Sequence, residues 1–214
     1  MDYEAQRAKM VDNQIRTTDV TSHTVQAAFL AVPRENFVPE HLKALAYIDT
    51  DINVGAGRYI MEPSPLAKML QLLDIRPGER ILEIGAASGY SAALMAAMGA
   101  VVVTLEEDLS VAEIAKAALA NVDGVTLEIG KLSEGCPSKA PYDAIFVNGA
   151  VEQLPESLFE QLKEAGRLVA VLGEGLSSSA RLFVREKGAN SERFGFNTSV
   201  RKLPGFEKAR EFVF

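Results

Sequence analysis

The stretch Ile81-Leu82-Glu83-Ile84-Gly85-Ala86-Ala87-Ser88-Gly89-Tyr90 decides the fold. Ile81 to Ile84 predicts a short apolar strand that runs directly into a turn of small residues, and Ser91 to Met98 predicts a small-residue helix behind it. Glycines in such a turn let the backbone approach a ligand closely, and the helix N-terminus offers unpaired N–H donors to it. In a doubly wound sheet this turn lies at the carboxyl edge of the strands, where ligands bind.

Alternating units continue outward from it. Val101 to Leu105 predicts a β-branched strand, Val111 to Ala120 a helix, Val125 to Ile129 and Ala144 to Val147 two strands, Leu154 to Leu162 a helix and Arg167 to Leu172 a strand. Strands alternating with helices of this length argue for an α/β domain whose mostly parallel sheet is covered on both faces. Ala180 to Arg185 and Thr198 to Leu203 predict two C-terminal strands, with the polar segment Glu186 to Arg193 as the hairpin loop between them. Upstream, residues 1–75 read as mostly helical. Val20-Thr21-Ser22 offers an N-cap, Val25, Ala28, Phe29 and Val32 recur at helical spacing, and Pro33 stops the helix. Tyr47 to Ile60 reads as extended or looped, and Pro63-Ser64-Pro65 opens a helix with Leu66, Met69, Leu70 and Leu73 on its apolar face.

The 214 residues amount to about 1.4 typical domains, which favours one domain with an extension, divided as 1–75, 76–172 and 173–214. Lys+Arg 22 against Asp+Glu 29 gives 22 − 29 = −7, a balance that argues against nucleic acid or anionic lipid as a partner. No charge occurs from Ile84 to Leu105, yet three glycines interrupt that stretch and Glu83 and Glu106 flank it where a membrane span would carry basic anchors. The charged start, Met1 to Met10, lacks the apolar core of a secretory signal, so a cytoplasmic protein is expected. Cys136 is the sole cysteine and reads as a surface thiol; His23 and His41 have no ligand-spaced neighbours, so no metal site is expected. Arg201-Lys202 and Lys208-Ala209-Arg210 read as solvated charges.

Glu106 stands 21 residues after Gly85, at the end of the next strand, where a carboxylate can accept both hydroxyl hydrogens of a ribose. A dinucleotide turn needs a glycine where Ala87 stands. The turn reads instead as E-x-G-x-x-S-G, which looks like the adenosylmethionine-binding turn of class I methyltransferases. A structural reading stands beside it, in which Glu106-Glu107-Asp108 is a solvated acidic cap for the following helix.

Several segments together resemble protein-L-isoaspartate O-methyltransferase: Met10 to Ile15, Val32-Pro33-Arg34-Glu35-Asn36-Phe37-Val38-Pro39, Ala46-Tyr47-Ile48-Asp49, the glycine turn, Pro141 to Val147 and Leu154 to Leu158. The resemblance implies a class I methyltransferase (Rossmann-like) core with an N-terminal helical cap and C-terminal antiparallel strands. It implies S-adenosyl-L-methionine as cofactor, isoaspartyl residues of damaged proteins as substrate, and a monomer. The cofactor set it implies is Glu83, Gly85, Ala86, Ser88, Gly89, Glu106, Lys131, Leu132 and Asn148; the substrate set is Tyr59, Ile60, Met61 and Glu62.

Two departures bear on chemistry. The family's active-site loop usually reads glycine-glutamine-threonine-isoleucine-serine-glutamine-proline, and here it is Gly57-Arg58-Tyr59-Ile60-Met61-Glu62-Pro63. Met61 stands in the serine's place and cannot donate a hydrogen bond, with Ser64 as a candidate substitute hydroxyl or else a helix cap. Glu62, if it faced a substrate carboxylate at ~4 Å, would repel it by about 4 kcal/mol at an effective dielectric near 20. The family's glycine-aspartate-glycine beside the adenine is here Gly130-Lys131-Leu132. Besides carboxyl methylation, the sequence therefore leaves open a methyltransferase with another substrate and a silent adenosylmethionine-binding or interaction module.

Overall fold

The computed structural model describes residues 1–173 and 175–208, so Ala209 and Arg210 lie outside the described residues. Helix α1 (Tyr3–Met10) is capped by Asp2, whose carboxylate accepts the Ala5 N–H at 3.0 Å. Helix α2 (His23–Ala31) starts at Ser22, whose hydroxyl accepts the Val25 N–H, and stops ahead of Pro33 as expected. The looped stretch holds a small antiparallel hairpin, β1 (Ile52–Gly55) and β2 (Arg58–Ile60). Helix α3 (Pro63–Leu73) carries Pro63 in its first turn and buries Leu66, Met69, Leu70 and Leu73. Its N-cap residue is Glu62, and no side chain caps it, so the cap expected of Ser64 is not made.

The remaining elements are β3 (Arg80–Ile84), α4 (Tyr90–Ala97), β4 (Val101–Glu106), α5 (Leu109–Ala118), β5 (Val125–Ile129), β6 (Tyr142–Val151), α6 (Glu156–Glu160), β7 (Leu162–Leu172), β8 (Ser179–Glu186) and β9 (Ala189–Asn197). They form one seven-stranded sheet in the order β5-β4-β3-β6-β7-β8-β9. The first five are parallel to one another and β8 and β9 are antiparallel additions, the doubly wound arrangement expected. In register, Ile84 faces Leu105 of β4 on one side and Val147 of β6 on the other. Alternation along β3 sends Ile81 into one apolar layer, with Met69, Leu70 and Phe29, and Leu82 and Ile84 into the other, with Val103, Ile145 and Leu158.

One expected element is corrected. The last strand is Ala189–Asn197, not Thr198 to Leu203, and the hairpin turns at Lys187-Gly188, both with positive φ (51° and 78°). Strand β9 closes the sheet's edge, where side chains meet solvent, so its polar composition reads as a loop. The segment after it returns to β6, where Ala150 N–H donates to Arg201 at 2.9 Å and Leu203 N–H to Ala150 at 2.8 Å.

Strand order reverses between β3 and β6, which opens a crevice at their carboxyl ends. The helical N-terminal region covers it. Phe29 and Phe37 pack on the ring of Tyr90, the first residue of α4, at centroid distances of 6.1 and 5.5 Å.

Candidate active site

The turn after β3 is shaped by its backbone. Gly85, Ala87 and Gly89 all have positive φ, at 90°, 48° and 88°. The N–H groups of Gly85 and Ala86 donate to Leu105 at 2.9 and 3.0 Å, tying the turn to β4. A Cβ at Gly85 would lie 2.7 Å from a methyl of Leu203, so the turn meets its neighbours as bare backbone.

Behind the turn, Glu83 is fully buried and accepts hydrogen bonds from Ser91, from Thr104 at 2.6 Å and from Asn148 at 3.2 Å. Burial pushes its pKa up to about 7, against the opposing pull of those donors. Asn148 also donates to the Gly85 carbonyl at 3.0 Å and the Ser91 hydroxyl at 2.9 Å, so strand β6 and the turn are locked through one amide.

Glu106 is fully buried at the end of β4. Its Oε2 accepts the Ala87 N–H at 3.2 Å, and its Oε1 accepts those of Glu107 at 2.9 Å and Asp108 at 3.1 Å. Capping of α5 falls to Asp108, which accepts from Ser110 and Val111 and whose pKa is lowered by the bond from Ser110. Of the two readings of this acidic run, the cap therefore belongs to Asp108 while Glu106 turns inward. Arg58 of β2 meets it there, with Nη2 2.9 Å from Oε1 and Nε 3.1 and 3.3 Å from the two oxygens.

The crevice between this turn and the hairpin is lined by Asp51, Arg58, Tyr59, Met61, Gly85 and Asn148. A smaller cavity beneath it touches Ile60, Met61, Ala86, Ser88 and Tyr90, and there the hydroxyls of Ser88 and Tyr90 are buried without a hydrogen-bond partner. Gly89 starts α4 just beyond. The loop is anchored by Arg34, wholly buried, whose Nε donates to the Ala46 carbonyl at 2.8 Å and Nη2 to the Met61 carbonyl at 3.0 Å. Its guanidinium stacks on Tyr90, 4.9 Å from the ring centroid.

Of the expected site residues, Glu83, Gly89 and Glu106 adjoin the turn without lining either cavity, and Lys131, Leu132, Glu62 and Ser64 also line neither. Lys131 turns to the surface and pairs with Glu134 at 3.1 Å, and Leu132 is buried in the core beside Tyr142 and Leu158. Glu62 does not line the crevice; its carboxyl has a raised pKa through burial first and then the nearby charges of Asp51 and Asp49. Ser64 lines neither cavity. Cys136 is buried rather than a surface thiol, its N–H donating to Gln161 at 2.8 Å. Arg201, read as a solvated charge, stacks on Tyr59 at 5.0 Å and pairs with Asp51 at 3.1 Å. Arg58 is legible only indirectly: a buried strand-end acid needs a cation, and Arg58 is the one basic residue of the loop Gly57 to Pro63; Arg34, bonded to two backbone carbonyls, leaves no such signal.

Comparison with known proteins agrees with this geometry. The family described as Protein-L-isoaspartate(D-aspartate) O-methyltransferase (PCMT) matches residues 5–203. A protein-L-isoaspartate O-methyltransferase of Herpetosiphon aurantiacus is 37% identical over 216 residues, covering 98% of this chain and 96% of that protein. Among solved structures, a protein-L-isoaspartate O-methyltransferase superposes with TM-score 0.81 at 29% identity, covering 93% of this chain and 66% of that one. A Plasmodium falciparum chain described as a protein-L-isoaspartate O-methyltransferase, solved in complex with S-adenosyl-L-homocysteine, gives TM-score 0.79 at 22% identity, covering 95% of this chain and 98% of that one.

Proposed function

Because the chain belongs to the protein-L-isoaspartate(D-aspartate) O-methyltransferase family, we propose that it transfers the methyl group of S-adenosyl-L-methionine to the α-carboxylate of L-isoaspartyl residues in damaged proteins. The observation that carries this reading is Glu106, held at the end of β4 by the Ala87 N–H of the very turn that brings Gly85 and Ala87 to the crevice. Its carboxylate suits a ribose diol. The bare backbone of Gly85, the amide of Asn148 and the unpartnered hydroxyl of Ser88 fit the polar groups of a nucleoside-linked amino acid. We assign Glu83, Gly85, Ala86, Ser88, Gly89, Glu106 and Asn148 to this cofactor, and Tyr59, Ile60 and Met61 to the substrate side. Lys131 and Leu132 carry no part in the assignment.

Bound there, adenosylmethionine supplies an electrophilic methyl on a sulfonium. The chain needs no general base, because an isoaspartyl α-carboxylate with a pKa of roughly 3.5 is already an anionic nucleophile at neutral pH. Its residues orient and exclude water instead. Arg34 fixes the carbonyl of Met61 and so the path of the loop over the crevice, while buried Met61 and Ile60 keep that wall dry. Glu62 does not line the crevice, and burial first, then the charges of Asp51 and Asp49, raise its pKa, which favours its uncharged form. We further infer a cytoplasmic monomer without a nucleic-acid partner; gel filtration of the purified protein tests the monomer. Mass spectrometry of an isoaspartyl peptide incubated with the enzyme and adenosylmethionine tests the main reading: one added methyl group supports it, and an unmodified peptide refutes it.

A further inference from the structure

Arg58 and a ribose have claims on the same carboxylate. Glu106 Oε1 already accepts from Arg58 and from the N–H groups of Glu107 and Asp108, and Oε2 from Arg58 and Ala87. A carboxylate offers about four acceptor sites, so this one has none spare for two hydroxyls. Three of its partners are fixed backbone groups. Arg58, on the hairpin, is the one that can leave.

A guanidinium that is only 6% exposed does not stay unpaired cheaply. Asp51, the acid that lines the crevice, is held by Arg201 and by the Glu62 N–H. Arg58 also shares this crevice with Met61, which stands where the family has a hydrogen-bonding serine and can donate nothing. The geometry points to an exchange: Arg58 yields Glu106 to the cofactor ribose and takes the isoaspartyl α-carboxylate as its new partner, a substrate-positioning residue in place of the missing hydroxyl. The inference rests on the proposed function and goes beyond it by naming which side chain receives the substrate anion. A planar guanidinium matches a carboxylate with two parallel hydrogen bonds, which fixes its orientation as well as its place.

Calorimetry with S-adenosyl-L-homocysteine and steady-state kinetics on an isoaspartyl peptide, run on wild type, Arg58→Gln and Arg58→Lys, test the exchange. Removing the internal competitor should tighten homocysteine-cofactor binding about tenfold in Arg58→Gln. The same variant should raise the peptide KM at least about tenfold at saturating cofactor with kcat changed less than about threefold, and Arg58→Lys should recover part of the KM. Arg58→Lys keeps the charge in the fold, so the KM recovery is readable even if the glutamine variant is poorly stable. Unchanged or weaker cofactor affinity in the glutamine variant, or an unchanged peptide KM, overturns the exchange and leaves the proposed function standing. A wild-type protein that binds no S-adenosyl-L-homocysteine or methylates no isoaspartyl peptide overturns that function and the exchange with it.

Discussion

The turn after β3 and the β1–β2 hairpin face each other across one crevice, and they differ in how each is tied to the core. In the turn, the work falls to the main chain: positive φ at Gly85, Ala87 and Gly89, the N–H groups of Gly85 and Ala86 donating to Leu105 of β4, and Glu106 behind it accepting the Ala87 N–H. In the hairpin, whose own main chain turns through positive φ at Gly55, Ala56 and Gly57 and slips register between Asn53 and Gly55, Arg58 and Tyr59 line the crevice beside Gly57, Met61 follows just beyond, and the tie to the core is a side-chain pair, Arg58 on Glu106. A function written in backbone tolerates few sequences. One written in side chains can be retuned without disturbing the fold, and the departures from the family pattern fall on such side chains, at Met61 and Glu62 just past the hairpin and at Lys131 after β5.

Substitutions on each side should break or sharpen that contrast. The largest effect is expected from Glu106→Ala, which removes the partner of a buried Arg58 and three backbone acceptor bonds. Thermal denaturation should show a loss of about 3–5 kcal/mol, and calorimetry a weakening of S-adenosyl-L-homocysteine binding of about a hundredfold or more. Retained binding would mean that the turn does not depend on its acid.

Glu83 gives the next test. Its folded pKa of about 7 lies above the ordinary 4.5. A carboxyl raised in this way contributes stability that is full below the unfolded value and is lost as pH climbs through the folded one. Stability should therefore fall by about 3 kcal/mol between about pH 4.5 and pH 7 on this group's account. Glu83→Gln should flatten that part of the pH–stability curve in chemical denaturation, and an unaltered slope would show that the carboxyl is not the cause.

On the hairpin side, Met61→Ser restores a hydroxyl at the loop position and should raise kcat/KM for an isoaspartyl peptide about tenfold, the scale of one hydrogen bond to a charged group. No gain would show that the missing hydroxyl does not limit this enzyme. The smallest effect belongs to Ala87→Gly. Ala87 holds φ at 48°, and relieving that strain should stabilise the protein by about 1 kcal/mol, a change in denaturation midpoint that a proline-like loss of order elsewhere would not produce.

The same contrast explains what the sequence made legible. Ile81 to Gly89 could be read because its geometry demands particular residues: an apolar strand, glycines where φ is positive, and an acid one strand later. The α3 face and the Ser22 cap were legible for the same reason, since spacing alone dictates them. The hairpin was harder, because its residues could be quoted but not aimed. The resemblance puts Glu62 on the substrate side, yet it does not line the crevice, and it puts Lys131 by the cofactor, yet that side chain pairs with Glu134 at the surface. Arg58 leaves no local signal, because its partner lies 48 residues away and a pairing of that range has no period. Strand β9 is hard to read because edge strands carry the polar composition of loops.

Transfer of a labelled methyl group from adenosylmethionine to a synthetic isoaspartyl peptide, with its aspartyl twin as control, tests the central claim most directly. The account predicts base-labile label in the isoaspartyl peptide and none in the aspartyl one; label in neither, or equal label in both, would contradict it.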